Sequence, residues 1–129
     1  MLMHPMSRIL TSLLCTALLV WSGAAAAHAK LVRAKPAAEA ELGASPKAVT
    51  LWFNETPEAD FSNVKVLDAA GQVMAEGAPV PTKDQKALEL TLSATLPPGR
   101  YTVRYRVIAV DGHVLEGSFT FRVGSAAAQ

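Results

Sequence analysis

Cysteine is almost absent from this 129-residue chain, and the single one, Cys15, lies in an apolar first segment. A disulfide framework is therefore not expected, and stability must come from a packed core. The sequence also lacks an excess of one charge, because 12 Lys and Arg face 11 Asp and Glu. A net charge of +1 gives no positive field for a polyphosphate backbone, so nucleic-acid binding is not expected. The length allows one domain and excludes a large two-domain enzyme.

A long hydrophobic run is also missing. The apolar stretch Ile9–Trp21 follows Arg8 and precedes small residues, which is the plan of a secretory signal peptide. It is shorter than the roughly 20 residues that span a bilayer, so no stable membrane anchor is expected. We predict a cleaved signal over residues 1–27. The small residues allow cleavage before His28 or before Lys30, and the pattern alone does not choose between them.

Removal of residues 1–27 leaves a balanced chain that is poor in sulfur. Arg8 is the only basic residue lost, so eleven basic residues face eleven acidic ones. Cys15 and three of the four methionines are lost with it, which leaves Met74 as the only sulfur atom. Soft thiolate and thioether ligands are therefore scarce in the predicted mature chain.

The remaining sequence contains short apolar alternations broken by turn residues, with no long stretch of helical period. This pattern predicts seven strands, over residues 31–35, 48–53, 64–67, 72–76, 88–92, 100–108 and 114–123. Seven strands in about 100 residues, with turn signals every 8–12 residues, indicate an all-β, two-sheet Greek-key β-sandwich. We expect one domain over residues 28–123, followed by a short flexible tail over residues 124–129.

Alternation along these strands also predicts which side chains form the core. In residues 100–108, one face carries the side chains of Tyr101, Val103, Tyr105 and Val107, and arginines occupy the other. The expected inward residues are Val49, Leu51, Phe53, Val64, Val66, Leu90, Leu92, Tyr101, Val103, Tyr105, Phe119 and Phe121.

Two histidines remain in the mature chain, His28 and His113. If cleavage makes His28 the first residue, its free amine and ring Nδ1 can close a six-membered chelate on one metal ion. Such nitrogen donors favour Cu(II). The amine must lose a proton first, so binding should strengthen as the pH rises toward neutral.

His113 belongs to the tripeptide Asp111-Gly112-His113, between two well-defined strands. Residues i and i+2 of an extended chain point the same way, so the Asp111 carboxylate and the His113 imidazole can converge on one ion. Amine, two imidazoles and one carboxylate would make an N3O plane. Asp-Gly is equally a common hairpin turn, and an isolated Asp-x-His is more often turn chemistry than a metal site.

The same residues resemble a known family. The segments that carry the resemblance are HAKLVRAKPA from His28, VTLWFNE from Val49, LPPGRYTV from Leu96, VDGH from Val110 and GSFTFRV from Gly117. Together they span nearly all of the mature chain and are similar to the CopC family of periplasmic copper-resistance proteins. The resemblance favours cleavage before His28. It implies an immunoglobulin-like β-sandwich that holds one Cu(II) through the amine and ring of His28, Asp111 and His113.

The resemblance also implies further features of the site and its partners. Glu55 follows the predicted Trp52-Phe53 strand, where its carboxylate could accept the free ring N–H of a ligand histidine and fix its orientation. The alternative is an exposed charge on an edge strand, as most glutamates are. Some members carry a methionine-rich Cu(I) site, but Met74 stands alone here, so no Cu(I) site is expected. The protein would be a soluble periplasmic copper carrier or buffer, a monomer and not an enzyme, with an inner-membrane CopD-type permease as a partner.

Two other classes of function remain open at this point. Two histidines and a terminal amine also describe the histidine brace of oxidative polysaccharide monooxygenases, although Asp111 disfavours Cu(I) and the small domain leaves little room for a flat substrate surface. A metal-free sandwich acting as an interaction module fits if cleavage leaves Lys30 as the first residue.

Overall fold

The computed structural model describes residues 29–124, which form nine β-strands. The predicted signal peptide, His28 and residues 125–129 lie outside the described residues. The strands are β1 (Leu31–Lys35), β2 (Glu41–Leu42), β3 (Ala48–Phe53), β4 (Pro57–Leu67), β5 (Val73–Gly77), β6 (Val80–Pro81), β7 (Ala87–Thr91), β8 (Gly99–Ala109) and β9 (Val114–Val123).

The strands build two sheets. The four-stranded sheet has the order β1-β3-β7-β6, and the five-stranded sheet has the order β2-β9-β8-β4-β5. All pairs are antiparallel except β2 with β9, which is parallel. The prediction of an all-β sandwich is confirmed. The strand count is nine because β2 and β6, each of two residues, form in segments that carry no apolar alternation.

The core lies between the two sheets, where alternate residues of the long strands point inward. Leu51, Val66 and Val103 are completely buried, and burying a side chain of this size contributes about 1.5–3 kcal/mol. Eleven of the twelve predicted inward residues are buried, whereas Phe119 is only half-buried and packs against the rim of the core. The core also contains Leu88, Leu96 and Val123, which were not predicted, and Val107, which the alternation had placed on the same face as Val103.

Strand β4 is longer than predicted, because it begins at Pro57 rather than at Val64. Its register with β8 runs through Glu58 opposite Ile108 and resumes at Asn63 opposite Arg106, so the residues between them bulge out of the ladder. The Ser62 hydroxyl closes this bulge by donating to the carbonyl of Glu58 at 2.7 Å. Bulged residues do not alternate between two faces, which explains why the sequence pattern missed this half of the strand.

Two connections meet at one end of the sandwich. Residues 54–56 lead from β3 in the first sheet to β4 in the second, and the hairpin between β8 and β9 contains residues 110–113. The Val110 N–H donates to the Thr56 carbonyl at 3.0 Å, which joins the two connections directly. Residues 54–56 and 110–113 are far apart in sequence, and this end of the fold brings them together.

The part of the chain between residues 29 and 124 contains no helix that is long and apolar enough to cross a membrane.

Candidate metal site

The hairpin between β8 and β9 fixes the backbone of the Asp111-Gly112-His113 tripeptide. The Ala109 N–H donates to the His113 carbonyl at 2.9 Å, and the Gly112 N–H donates to the Ala109 carbonyl at 2.8 Å. These bonds enclose a three-residue loop in which Gly112 has a φ of 88°. This left-handed conformation is readily available to glycine and is typical of three-residue hairpin loops.

Asp111 and His113 are in direct contact on this loop. His113 Nδ1 lies 2.7 Å from Asp111 Oδ2, and the His113 backbone N–H donates to Asp111 Oδ1 at 3.0 Å. The sequence analysis expected convergence through an extended chain. The two side chains instead meet because the Asp111 carboxylate caps the turn two residues ahead, as aspartate commonly does in turns. The His113 side chain is 58% exposed and that of Asp111 is 37% exposed, so the pair is open to solvent.

Glu55 lies close to this pair. It is half-buried in the connection from β3 to β4, where its side chain contributes to the lowered pKa of Asp111 and to the raised pKa of His113. The structure therefore brings together three of the four predicted site residues, namely Glu55, Asp111 and His113.

The contacts shift the titration of both members of the pair. The backbone N–H of His113, followed by its ring, lowers the pKa of Asp111 below the usual value by hydrogen-bonding to the carboxylate. The hydrogen bond to Asp111 and its negative charge raise the pKa of His113 above 6.5, and the charge of Glu55 acts in the same direction. A cation is favoured next to these carboxylates for the same electrostatic reason.

His28, the fourth predicted site residue, lies outside the described residues. Lys30, two residues further along the chain, is held in position by two hydrogen bonds with Asn54. The Lys30 N–H donates to Asn54 Oδ1 at 2.7 Å, and the Asn54 N–H donates to the Lys30 carbonyl at 3.1 Å. Sequence reasoning did not single out Asn54. The available signal was its place directly before Glu55, where a strand ends.

Imidazole nitrogen and carboxylate oxygen together suit a divalent transition metal, and the imidazole nitrogen in particular suits copper, zinc or nickel. Within residues 29–124 no group of three or more His, Cys, Asp or Glu side chains is arranged to hold a metal ion. The described residues thus provide Asp111 and His113 as adjacent donors, with the Glu55 carboxyl group beside them.

A β-sandwich with a carboxylate–imidazole pair on an exposed hairpin defines a small domain with a candidate metal site. The chain belongs to the CopC family, because the family model described as the CopC domain matches residues 31–124.

Individual relatives support this assignment. Protein YobA of Escherichia coli K12 is 41% identical over 98 residues, which cover 75% of this chain and 79% of that protein. Copper resistance protein C of Pseudomonas syringae pv. tomato is 36% identical over 109 residues, covering 79% of this chain and 85% of that protein. The crystal structure of CopC from Methylosinus trichosporium OB3b matches with a TM-score of 0.72 and 37% identity, over 76% of this chain and 95% of that one.

Proposed function

We propose that this protein is a periplasmic copper carrier or buffer that binds one Cu(II) per chain at the Asp111–His113 hairpin. The observation that carries the proposal is the contact of 2.7 Å between the imidazole of His113 and the carboxylate of Asp111 on an exposed loop. Membership of the CopC family supports copper as the metal, because one relative is named copper resistance protein C. The exposure of the pair suits a protein that must accept and release its ion.

The proposed ligand set combines described and undescribed residues. Asp111 and His113 would provide one oxygen and one nitrogen, and His28 would provide its terminal amine and its ring nitrogen after signal cleavage. Lys30 is bonded to Asn54, the residue before Glu55, and two residues of extended chain reach at most about 7 Å. Lys30 is thus held beside the connection that carries Glu55, and we propose that His28 lies within this reach of it.

The donor types favour Cu(II) over Cu(I). Nitrogen and carboxylate ligands suit the divalent ion, whereas Cu(I) prefers thiolate and thioether sulfur. Met74 is the only sulfur-containing residue after residue 27. We therefore propose a Cu(II) carrier without a Cu(I) methionine site and without catalytic turnover, which passes its ion to a CopD-type membrane permease.

Glu55 has a supporting role in this proposal. Its side chain contributes to the pKa shifts of Asp111 and His113, and its carboxylate would accept a hydrogen bond from a ring N–H that does not bind the metal. Partners of this kind orient a ligand histidine and raise its basicity.

The direct test uses the mature protein with His28 as its first residue. We expect one tight Cu(II) equivalent by calorimetric titration, and a tetragonal electron paramagnetic resonance (EPR) spectrum with nitrogen hyperfine structure. His113→Ala should weaken binding strongly and leave the fold intact, because the exposed loop contributes little core packing. Two tight equivalents, or unchanged affinity in the folded His113→Ala variant, would contradict the proposal.

A second test addresses the terminal amine. Retention of one Met ahead of His28 converts the amine into a peptide nitrogen, which is a far poorer donor at neutral pH. We expect most of the affinity to be lost, with an unchanged circular dichroism spectrum. Equal affinity of the two forms would show that the amine is not a ligand.

A further inference from the structure

The inference concerns Asn54 and rests on the proposed function. Strands β1 and β3 pair in antiparallel register, with Leu31 opposite Phe53, so Lys30 and Asn54 occupy the next positions of the ladder. In a hydrogen-bonded antiparallel pair each residue donates its N–H to the carbonyl of the other. Asn54 donates to the Lys30 carbonyl at 3.1 Å as expected. The return bond differs, because the Lys30 N–H donates to the Asn54 side-chain oxygen at 2.7 Å.

A side chain thus replaces a backbone carbonyl at this position of the ladder. The reason is the course of the chain, which leaves the four-stranded sheet after Phe53 and enters β4 of the other sheet at Pro57. Only a short side chain with a terminal oxygen can accept the Lys30 N–H while its own backbone turns away. The last pairing before the start of the mature chain therefore depends on residue type, whereas ordinary ladder bonds form with almost any residue.

We propose that Asn54 is a positioning residue for the copper site, which holds the first residues of the mature chain beside the Asp111–His113 pair. Asn54 begins the connection of residues 54–56, which is joined to the hairpin by the hydrogen bond from the Val110 N–H to the Thr56 carbonyl at 3.0 Å. The connection of residues 54–56 thus contacts the hairpin and, through Asn54, also fixes the backbone of Lys30, two residues after His28. Fixing Lys30 restricts the volume that the terminal amine and the ring of His28 can explore, which raises the effective concentration of these donors at the copper ion.

The variants Asn54→Ala and Asn54→Asp of the mature protein separate this role from general stability. Asn54→Ala removes the side-chain oxygen that accepts the hydrogen bond from the Lys30 N–H, whereas Asn54→Asp keeps a side-chain oxygen at this position. We expect Asn54→Ala to weaken Cu(II) binding about 10–100-fold, the loss typical of residues that orient metal ligands, and Asn54→Asp to restore most of it. Competition with a chelator of known affinity measures both. Equal affinities for the wild type and Asn54→Ala would overturn the inference.

Asp68→Ala is the matched control. The Asp68 carboxylate accepts hydrogen bonds from the backbone N–H groups of Ala70 and Gln72, both at 2.9 Å. The Asp68→Ala substitution therefore removes hydrogen bonds between a side chain and the backbone, as Asn54→Ala does. These bonds lie at the turn after β4, at the opposite end of that strand from Pro57. We expect unchanged copper affinity for Asp68→Ala. A loss equal to that of Asn54→Ala would show that any such deletion weakens binding, and would overturn the specific role.

A double-mutant cycle with the terminal amine tests the mechanism. If Asn54 acts by positioning the start of the chain, Asn54→Ala should have little further effect in the form that carries Met ahead of His28. The same loss in both forms would show that Asn54 acts through another group. Amide exchange of Lys30 in the metal-free protein provides a copper-independent readout, and it should become faster in Asn54→Ala. No copper binding by the wild type would refute the proposed function, whereas unchanged Lys30 exchange would refute this inference alone.

Discussion

Gly117 gives the sharpest test of the packing, because an aromatic ring occupies the space where its side chain would lie. Gly117 is directly opposite Tyr105 in the β8–β9 ladder. A Cβ atom added at Gly117 would lie 2.6 Å from Tyr105 Cζ and 3.2 Å from Cε1, and closer still to the hydroxyl oxygen. The ring has little freedom to retreat, because Tyr105 is only 9% exposed and packs edge-to-face on Phe53 at 6.2 Å.

Gly117→Ala should therefore destabilise the domain. Overpacking by one methyl group in a closely packed site costs about 1–3 kcal/mol. For a domain of this size, a loss of 1 kcal/mol lowers the melting temperature by about 4–8 °C. Thermal unfolding followed by circular dichroism measures this change in the metal-free protein.

Gly77→Ala is the matched control, because it makes the same substitution in another strand. A Cβ at Gly77 would meet Leu90 Cδ1 at 3.5 Å, an ordinary van der Waals contact. We expect Gly77→Ala to be neutral or to stabilise the domain by about 0.4–1 kcal/mol, through the loss of freedom in the unfolded chain. A Gly117→Ala variant as stable as the wild type, or the same loss from Gly117→Ala in a Tyr105→Leu background, would refute the proposed clash.

Three further predictions concern the site. The imidazole of His113 in the metal-free protein should titrate above 6.5 by NMR, because Asp111 stabilises the protonated ring; Asp111→Asn should move the pKa of His113 down toward 6.5, and an unmoved value would refute the pairing. Glu55→Gln should lower the affinity for Cu(II) about 10-fold or more, with equal affinity excluding a supporting role. Ascorbate with a Cu(I)-selective chelator should remove the copper completely, because Met74 is the only sulfur-containing residue after residue 27; copper retained against the chelator would show a Cu(I) site.

Regular alternation explains how much of the fold could be predicted from the sequence. Strand β8 was predicted almost to its ends, because Val103, Tyr105 and Val107 are buried and the two arginines between them are exposed. The first half of β4 was missed, because three-dimensional pairing with β8 holds its bulge in place and the bulge hides the two-residue period. Short edge strands such as β2 were not predicted for a related reason, because pairing with a neighbouring strand, rather than the pattern of their own residues, gives them their extended conformation.

The candidate site shows the same division between local and tertiary information. Contact between Asp111 and His113 is encoded locally, because an aspartate two residues ahead can cap its own turn. Tertiary structure determines the position of Glu55 near this pair and the hydrogen bond between Asn54 and Lys30, because both depend on the crossing of the chain from one sheet to the other. The spacing of residues along the sequence does not indicate where the chain crosses between sheets.

The geometry of the metal-free pair also bears on how an ion would enter. Both oxygens of Asp111 are engaged by His113, one by the backbone N–H and one by the ring. An ion that binds the ring through Nδ1 and the carboxylate through Oδ2 must separate these two atoms, whereas the backbone bond to Oδ1 can persist and keep the loop folded. Because both side chains are exposed, water compensates for much of the lost contact when the pair opens. The hairpin thus keeps two donors adjacent in the metal-free protein at little cost to binding.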